Sequence, residues 1–266
     1  MGEADKRWAE QLAEWEIPAE IRAQATSDPW KLTPRVLSGP APAGEAPPDT
    51  PARRLALEAL GEGGTVLDVG CGSGGASLHL VPPATSVTGV DEGEDMLEAF
   101  AAQAKERGAR YRLYPGRWPD VARAVPVADV VVSNHVLYNV PDLAPFVIAL
   151  TSHARRTVVV EISALHPVAG TNPLWKHFWG VDRPEGPTAE DAVAVLEEAG
   201  LHPVVQRDRR PGWQMAESPE RAAFLTRRLC LPPDRQGEVE QFVAQMGPPP
   251  EREVVTLSWA GGAPSG

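Results

Sequence analysis

The chain has 266 residues, 42% hydrophobic and 23% charged, with a net charge of -11, the make-up of an ordinary globular protein with one sizeable core. That acidity argues against nucleic acid and anionic membranes as partners, because binding phosphates calls for a basic stripe; the short clusters Arg207, Arg209, Arg210 and Arg227, Arg228 read as solvated or salt-bridged faces. Two cysteines, Cys71 and Cys230, make no disulfide framework or cysteine-rich zinc site, and without a membrane-length apolar run or an apolar signal core the expectation is a cytoplasmic protein, a monomer or homodimer.

The first stretch, 5–25, reads as helical, with Trp8, Leu12, Trp15 and Ile21 on one stripe and Pro18 breaking it in two. "SGPAPAGEAPPDTP", Ser38–Pro51, reads as an extended connection. Residues 1–50 are therefore expected to be a small helical cap, 51–260 the main domain, and 261–266 a disordered tail. The main domain alternates regularly. Helices are expected at Arg53–Leu60, Ser73–Val81, Glu94–Arg107, Leu143–His153 and Thr188–Ala199, the last with a capping box of Thr188 and Asp191. Strands are expected at Thr65–Val69, Ser86–Val90, Arg110–Tyr114, Ala128–Ser133, Arg156–Ile162, His202–Gln206 and Glu253–Trp259. Two further helices are expected after Ser218, as an N-cap before Pro219, and from near Asp234. Strands alternating with helices imply an α/β fold, a mostly parallel sheet with helices on both faces, and ligands bind beyond the carboxyl ends of such strands.

"VLDVGCGSGGASLHL", Val66–Leu80, sits at that edge. Gly70, Gly72 and Gly75 satisfy the dinucleotide pattern, and Gly70, Gly72 and Gly74 satisfy G-x-G-x-G, so the glycines alone do not choose a ligand. Asp91, 21 residues after Gly70, suits a ribose diol in either case. Asp68 discriminates: a carboxylate there would repel a pyrophosphate but attract an ammonium group.

"VLDVGCGSG", "GVDEGEDML" and "ADVVVSNHVLYNVPDL" together resemble the class I S-adenosylmethionine-dependent methyltransferases, over residues 50–260. The resemblance implies a Rossmann-like sheet of seven strands, the last antiparallel and inserted near the edge. It implies S-adenosylmethionine as cofactor, with S-adenosylhomocysteine as product. It also implies that Asp68, Gly70, Cys71, Gly72 and Gly74 surround the methionine part, that Asp91 holds the ribose, and that Glu92 and Met96 lie by the ribose and adenine. Met96 equally suits a helix core. Where many relatives carry an acid for the adenine amino group, this chain has Arg117 in "YPGRWPD"; backbone groups of Arg117 or Trp118, with the indole stacking, are the expected substitute, and Trp118 equally suits plain core packing. "PLWKHFWG", "RPEGPTAEDAVAVLEEAG" and the tryptophan-rich N-terminus look like actinobacterial-type small-molecule methyltransferases, without implying a substrate.

Methyl transfer from a sulfonium needs positioning and desolvation more than a triad, and a base only where the acceptor must lose a proton. "SNHVLYN" brings Asn134 and His135 to the cofactor and Tyr138 to the acceptor; His135 is the candidate base, with a structural contact as its alternative. After Glu161 a long segment carrying His166, Trp175, His177, Phe178 and Trp179 reads as an aromatic lid bearing a second candidate base, His166, or as a packed helix. Trp8, Trp15 and Trp30 in the cap and Trp175 and Trp179 in this segment could close a pocket over the strand ends. No complete metal-ligand set is visible. The expected function is methyl transfer to a small-molecule acceptor at oxygen, nitrogen or carbon; the rivals are a non-catalytic binder of the same cofactor and an NAD-dependent oxidoreductase.

Overall fold

The computed structural model describes residues 2–30, 47–211, 219–248 and 250–263. Its helices are α1 Glu3–Ala13, α2 Ala19–Arg22, α3 Pro51–Leu60, α4 Glu94–Glu106, α5 Leu143–His153, α6 Asn172–Trp179, α7 Ala189–Glu198, α8 Pro219–Arg228 and α9 Gln236–Met246. Its strands are β1 Gly64–Val69, β2 Ala84–Asp91, β3 Tyr111–Pro115, β4 Ala128–Asn134, β5 Ala154–Ser163, β6 Val204–Arg210 and β7 Arg252–Ala260. Local signals set many of these bounds. Thr50 caps α3, accepting from the Arg53 N–H at 3.1 Å, with Pro51 at the first helical position. Thr188 and Asp191 exchange the bonds of a capping box at α7.

The strands form one sheet in the order β3-β2-β1-β4-β5-β7-β6. The strands from β3 through β5 run parallel, whereas β7 lies antiparallel to both β5 and β6. The chain winds outward from β1 in one direction and from β4 in the other, so the switch point lies between these two strands. Their carboxyl ends open a crevice there. Side-chain alternation splits the core between the two faces. Val66, Val87, Val130, Val132 and Val159 pack with α3 and α4, and Leu67, Val131, Val158, Val160, Val255 and Leu257 pack with α5 and α7. A third apolar cluster gathers Ile17 and Ile21 with Leu174, Trp175, Leu225 and Leu229, joining the N-terminal segment to α6 and α8.

Helix α1 is tied to the second face at three points. The Glu198 carboxylate, at the end of α7, accepts from the backbone N–H groups of Glu3, Ala4 and Asp5 at 2.7, 3.0 and 3.3 Å. Asp5 accepts from the Ala144 N–H at the start of α5, at 3.0 Å. Trp8 is fully buried and donates its indole N–H to the Val140 carbonyl at 2.8 Å.

Three expectations are corrected. The helix expected over Ser73–Val81 is a series of turns with a short 3-10 segment, Leu78–Leu80. Ser77 there turns inward to Asp68, and Leu78 and Leu80 are both fully buried, a spacing of two that a helix face does not give. The sixth strand is displaced to Val204–Arg210 and so includes the basic run. Of the tail, Gly261, Gly262 and Ala263 donate backbone hydrogen bonds to Arg156, Thr151 and Ala154. The connection over 31–46, the Ser218 cap and 264–266 lie outside the described residues.

Candidate functional site

Strand β1 delivers Asp68 and the turn Gly70–Gly74 to the crevice. The Gly70 and Cys71 N–H groups both donate to the Val90 carbonyl, at 2.8 and 3.0 Å, which fastens the turn across the end of β2. Gly70 has φ +70 and an added Cβ would stand 2.4 Å from Val136, so only glycine fits. Gly72, at φ +49, is different: nothing lies within 4 Å of an added Cβ, and this corner of the turn faces open space.

Two carboxylates border the turn. The Asp91 side chain accepts from the Gly72 N–H at 2.8 Å and from the Gly93 N–H at 2.9 Å, one bond to each oxygen. The turn and the carboxylate thus hold each other in place, with the remaining lone pairs free for donors. Asp68 is fully buried. One of its oxygens accepts from the Ser77 hydroxyl at 2.6 Å, and the other has no partner. Burial pushes its carboxyl up to about 7, against the Ser77 hydrogen bond and with help from the Asp91 charge. Burial and the same two acids push the Cys71 thiol up as well, so it is a neutral wall atom. Glu92 is exposed beside Asp91, and Met96 is buried on α4.

At the end of β3, Arg117 is exposed. Trp118 takes the core alternative: its indole is buried, donating to the Phe146 carbonyl at 3.4 Å and meeting the His153 ring edge-on at 4.8 Å. The ring is therefore not available for stacking, and backbone groups are what this stretch offers.

The ends of β4 and β5 carry the second half of the site. The Asn134 side-chain oxygen is buried without a partner. His135 adopts φ +60, an uncommon conformation for a residue with a side chain. Both ends of this residue are held by Glu161: its N–H donates to the Glu161 carbonyl at 2.7 Å, and its Nε2 lies 3.0 Å from the Glu161 carboxylate. Glu161 is 4% exposed and is gripped from the other side by Arg210, in two bonds of 2.9 and 2.6 Å. Asp208 holds the Arg210 Nε at 2.9 Å. Burial alone would raise the Glu161 carboxyl, but hydrogen bonds and charge from His135 and Arg210 outweigh it and bring it down to about 2. With Nε2 facing a carboxylate, the ring presents Nδ1 as its acceptor.

Tyr138, expected to face the acceptor, and His166, the second candidate base, sit differently. The Tyr138 hydroxyl donates to the Ser163 carbonyl at 2.8 Å, its ring stacks on Trp8, and burial pushes its acidity further out of reach. His166 is buried, stacked on Trp15 at 4.1 Å and edge-on to Tyr138 at 4.9 Å. Burial, then the charges of Arg228 and Arg183, lower it to about 3, so its ring is neutral and a very weak base. Neither side chain is therefore a ready proton acceptor. His177 stacks on Phe242.

The segment expected to be a lid contains α6, with Leu174 and Trp175 buried. It meets the N-terminal segment directly: the Trp15 indole donates to the Gly186 carbonyl at 2.6 Å, and Arg183 donates to the carbonyls of Trp15 and Glu16. Glu161 and Arg210 escaped the sequence reading as site residues. They lie 49 positions apart, and only the placement of β7 between their strands brings them together. Among the described residues no cluster of three metal-ligating side chains occurs, and no helix is long and apolar enough to cross a membrane.

Residues 66–157 match the methyltransferase domain family. Over 151 residues the chain is 28% identical to a ubiquinone biosynthesis O-methyltransferase of Methylobacterium sp. (strain 4-46), covering 52% of this chain and 59% of that protein. It spans between 41% and 63% of the length of the curated relatives it matches. In fold it is similar to the YcgJ protein of Bacillus subtilis, with a TM-score of 0.54 at 17% identity over 80% of this chain and 99% of that one. It is also similar to magnesium protoporphyrin IX methyltransferase of Synechocystis PCC 6803 with bound S-adenosylhomocysteine, with a TM-score of 0.51 at 16% identity over 79% and 80% of the two chains.

Proposed function

From a chain of the class I S-adenosylmethionine-dependent methyltransferase type, by domain match and by sheet order, we propose an enzyme that methylates a hydroxyl of a small molecule. The observation that carries the cofactor half is the glycine turn. It is open at Gly72, has the Asp91 carboxylate fixed at its rim, and has an unpartnered oxygen of Asp68 beneath it. A cationic ligand with a ribose diol fits that donor set better than a dinucleotide pyrophosphate, which the Asp68 carboxylate would repel.

In this reading Asp68, Gly70, Cys71, Gly72 and Gly74 hold the methionine part, and Asp91, Glu92 and Met96 the ribose and its surroundings. Backbone groups at Arg117 and Trp118 meet the adenine, and Asn134 and His135 border the reacting end. When bound, S-adenosylmethionine supplies a methyl group activated by its sulfonium. The chain supplies position, exclusion of water and a proton acceptor. His135 accepts the hydroxyl proton at Nδ1, oriented by Glu161. Tyr138 and His166 form the acceptor wall. Oxygen as the methylated atom is supported by the name of the relatives and by the presence of a held base, which a neutral amine would not need.

The test is titration calorimetry with S-adenosylmethionine, S-adenosylhomocysteine and NAD. Micromolar binding of the first two is expected. Asp91→Ala should weaken S-adenosylhomocysteine by about tenfold to a hundredfold, because two hydroxyls lose a charged acceptor. Binding of NAD alone would overturn the reading. Cofactor binding without release of S-adenosylhomocysteine across a panel of phenols and catechols would favour a non-catalytic binder.

A further inference from the structure

Four side chains stand in line behind the crevice. The His135 side chain is 35% exposed and the Glu161 side chain that it faces only 5%, so the line runs from the crevice into the protein. Glu161 uses Oε1 twice: it lies 3.0 Å from His135 Nε2 and accepts from one terminal nitrogen of Arg210 at 2.9 Å. Its Oε2 accepts from the other terminal nitrogen at 2.6 Å. The Arg210 Nε in turn donates to Asp208 at 2.9 Å. Asp208 and Arg210 stand two apart at the end of β6 and so share one face of that strand. With its Nε held by Asp208, the guanidinium keeps both terminal nitrogens on Glu161.

Among the described residues, Arg252 of β7 and His79 of the short 3-10 segment also act on Glu161, by charge at a distance. Burial, then the Arg53 charge, bring His79 down to about 4, so it is neutral. The hydrogen-bonded balance of Glu161 falls to His135 and Arg210. A buried carboxylate needs a compensating cation. Were the imidazole its sole partner, the ring would have to supply that charge, and a ring protonated at both nitrogens accepts nothing. A guanidinium supplies the charge permanently, and its fork fits a carboxylate through two parallel bonds. His135 is then relieved of the balancing role, while Glu161 still fixes which ring nitrogen points inward.

We propose that Arg210 is a positioning residue for methyl transfer: it balances Glu161 from behind, so that the His135 ring stands open to take the proton of the methyl acceptor. Arg210 touches no substrate in this role, and Asp208 serves by holding the fork in place. The proposal rests on the reading of His135 as proton acceptor.

The experiment is nuclear magnetic resonance of the full, ligand-free chain, isotope-labelled in its six histidines, with the His135 ring identified by its loss in His135→Gln. Ring signals are followed across pH. Arg210→Met should move the His135 titration upward by about one pH unit or more, because the ring must then balance the buried carboxylate. Arg210→Lys keeps the charge and should recover most of that shift. A purely structural role for Arg210 would leave the His135 titration in place, and an unmoved or lowered titration in Arg210→Met overturns the proposal. So does a lysine variant that shifts as far as the methionine one. Where Arg210→Met does not fold, the same change is made in the Glu161→Gln chain, which leaves no lone carboxylate buried. Loss of the cation should again move the titration upward, and an unmoved one overturns the proposal. Failure of the base reading is seen in a separate assay: His135→Gln that methylates a catechol at the wild-type rate overturns that reading, and the role of Arg210 with it.

Discussion

Replacing Glu161 with glutamine tests the array behind His135. The substitution keeps shape and removes only the charge. In the folded chain Arg210 and His135 bring the carboxyl from an ordinary 4.5 to about 2, which corresponds to about 3 kcal/mol of stability at roughly 1.4 kcal/mol per pH unit. The group is nearly fully buried, so solvent screening does not shrink this figure much. Because the folded carboxyl is the stronger acid, its contribution is complete above the unfolded value of 4.5 and is lost as pH falls toward 2; on the same linkage less than half, about 1.4 kcal/mol, remains at pH ~3. Urea unfolding followed by tryptophan fluorescence should show Glu161→Gln less stable by about 3 kcal/mol at neutral pH, with the gap narrowing in acid. The Glu161→Gln/Arg210→Met double variant should cost less than the two single changes added, because both break one pair. A loss below about 1 kcal/mol at neutral pH, or a gap that does not depend on pH, would refute the reasoning.

Three further outcomes are expected. Asp68 is held at about 7, above its unfolded value of 3.8, so the cost of ionising it grows as pH rises between these values and is constant beyond them. Asp68→Asn should therefore stabilise the ligand-free protein at pH ~8 by about 2–4 kcal/mol in urea unfolding while weakening S-adenosylmethionine, and a less stable variant would contradict this. Gly72→Ala meets no atom within 4 Å, so thermal unfolding should report only the strain of its left-handed backbone, about 1–2 kcal/mol. Calorimetry on the same variant should show S-adenosylhomocysteine binding at least about tenfold weaker, and unchanged affinity would mean that the ligand does not approach this corner. Trp8→Ala removes a fully buried indole and its bond to Val140 and should cost about 3–5 kcal/mol in urea unfolding.

Local chemistry explains what the sequence made legible. Strands β1 and β2 are rich in β-branched residues and stop at Gly70 and Asp91, and the α7 cap is written in Thr188 and Asp191. The glycine turn and Asp91 were equally plain, because both lie next to one strand end in the chain. What failed locally did so for tertiary reasons. The segment after Gly74 has the composition of a helix, but the need to satisfy Asp68 with Ser77 bends it into turns. For Trp118 the choice between stacking and core packing stayed open because its burial depends on α5, some 28 residues away. The structure makes the basic run ending at Arg210, read as a solvated or salt-bridged face, a salt-bridged one. Its partners Glu190, Glu253 and Glu161 come from α7, β7 and β5, and a linear reading holds no trace of that convergence.

The staple between Glu198 and the start of α1 also bears on how the chain is made. The N–H groups of Glu3, Ala4 and Asp5 leave the ribosome well before the carboxylate that satisfies them, which follows 195 positions after Glu3. At about 5–20 residues per second, roughly 10–40 s of synthesis separates the two. Helix α1 has 11 residues, too few to hold together alone in water. Until Tyr138 and Val140 are made, Trp8 has neither its stacking partner nor its hydrogen-bond acceptor, and α7 follows later still. Helix α1 thus completes its contacts only late in synthesis, and until then the nascent chain exposes the Trp8 indole.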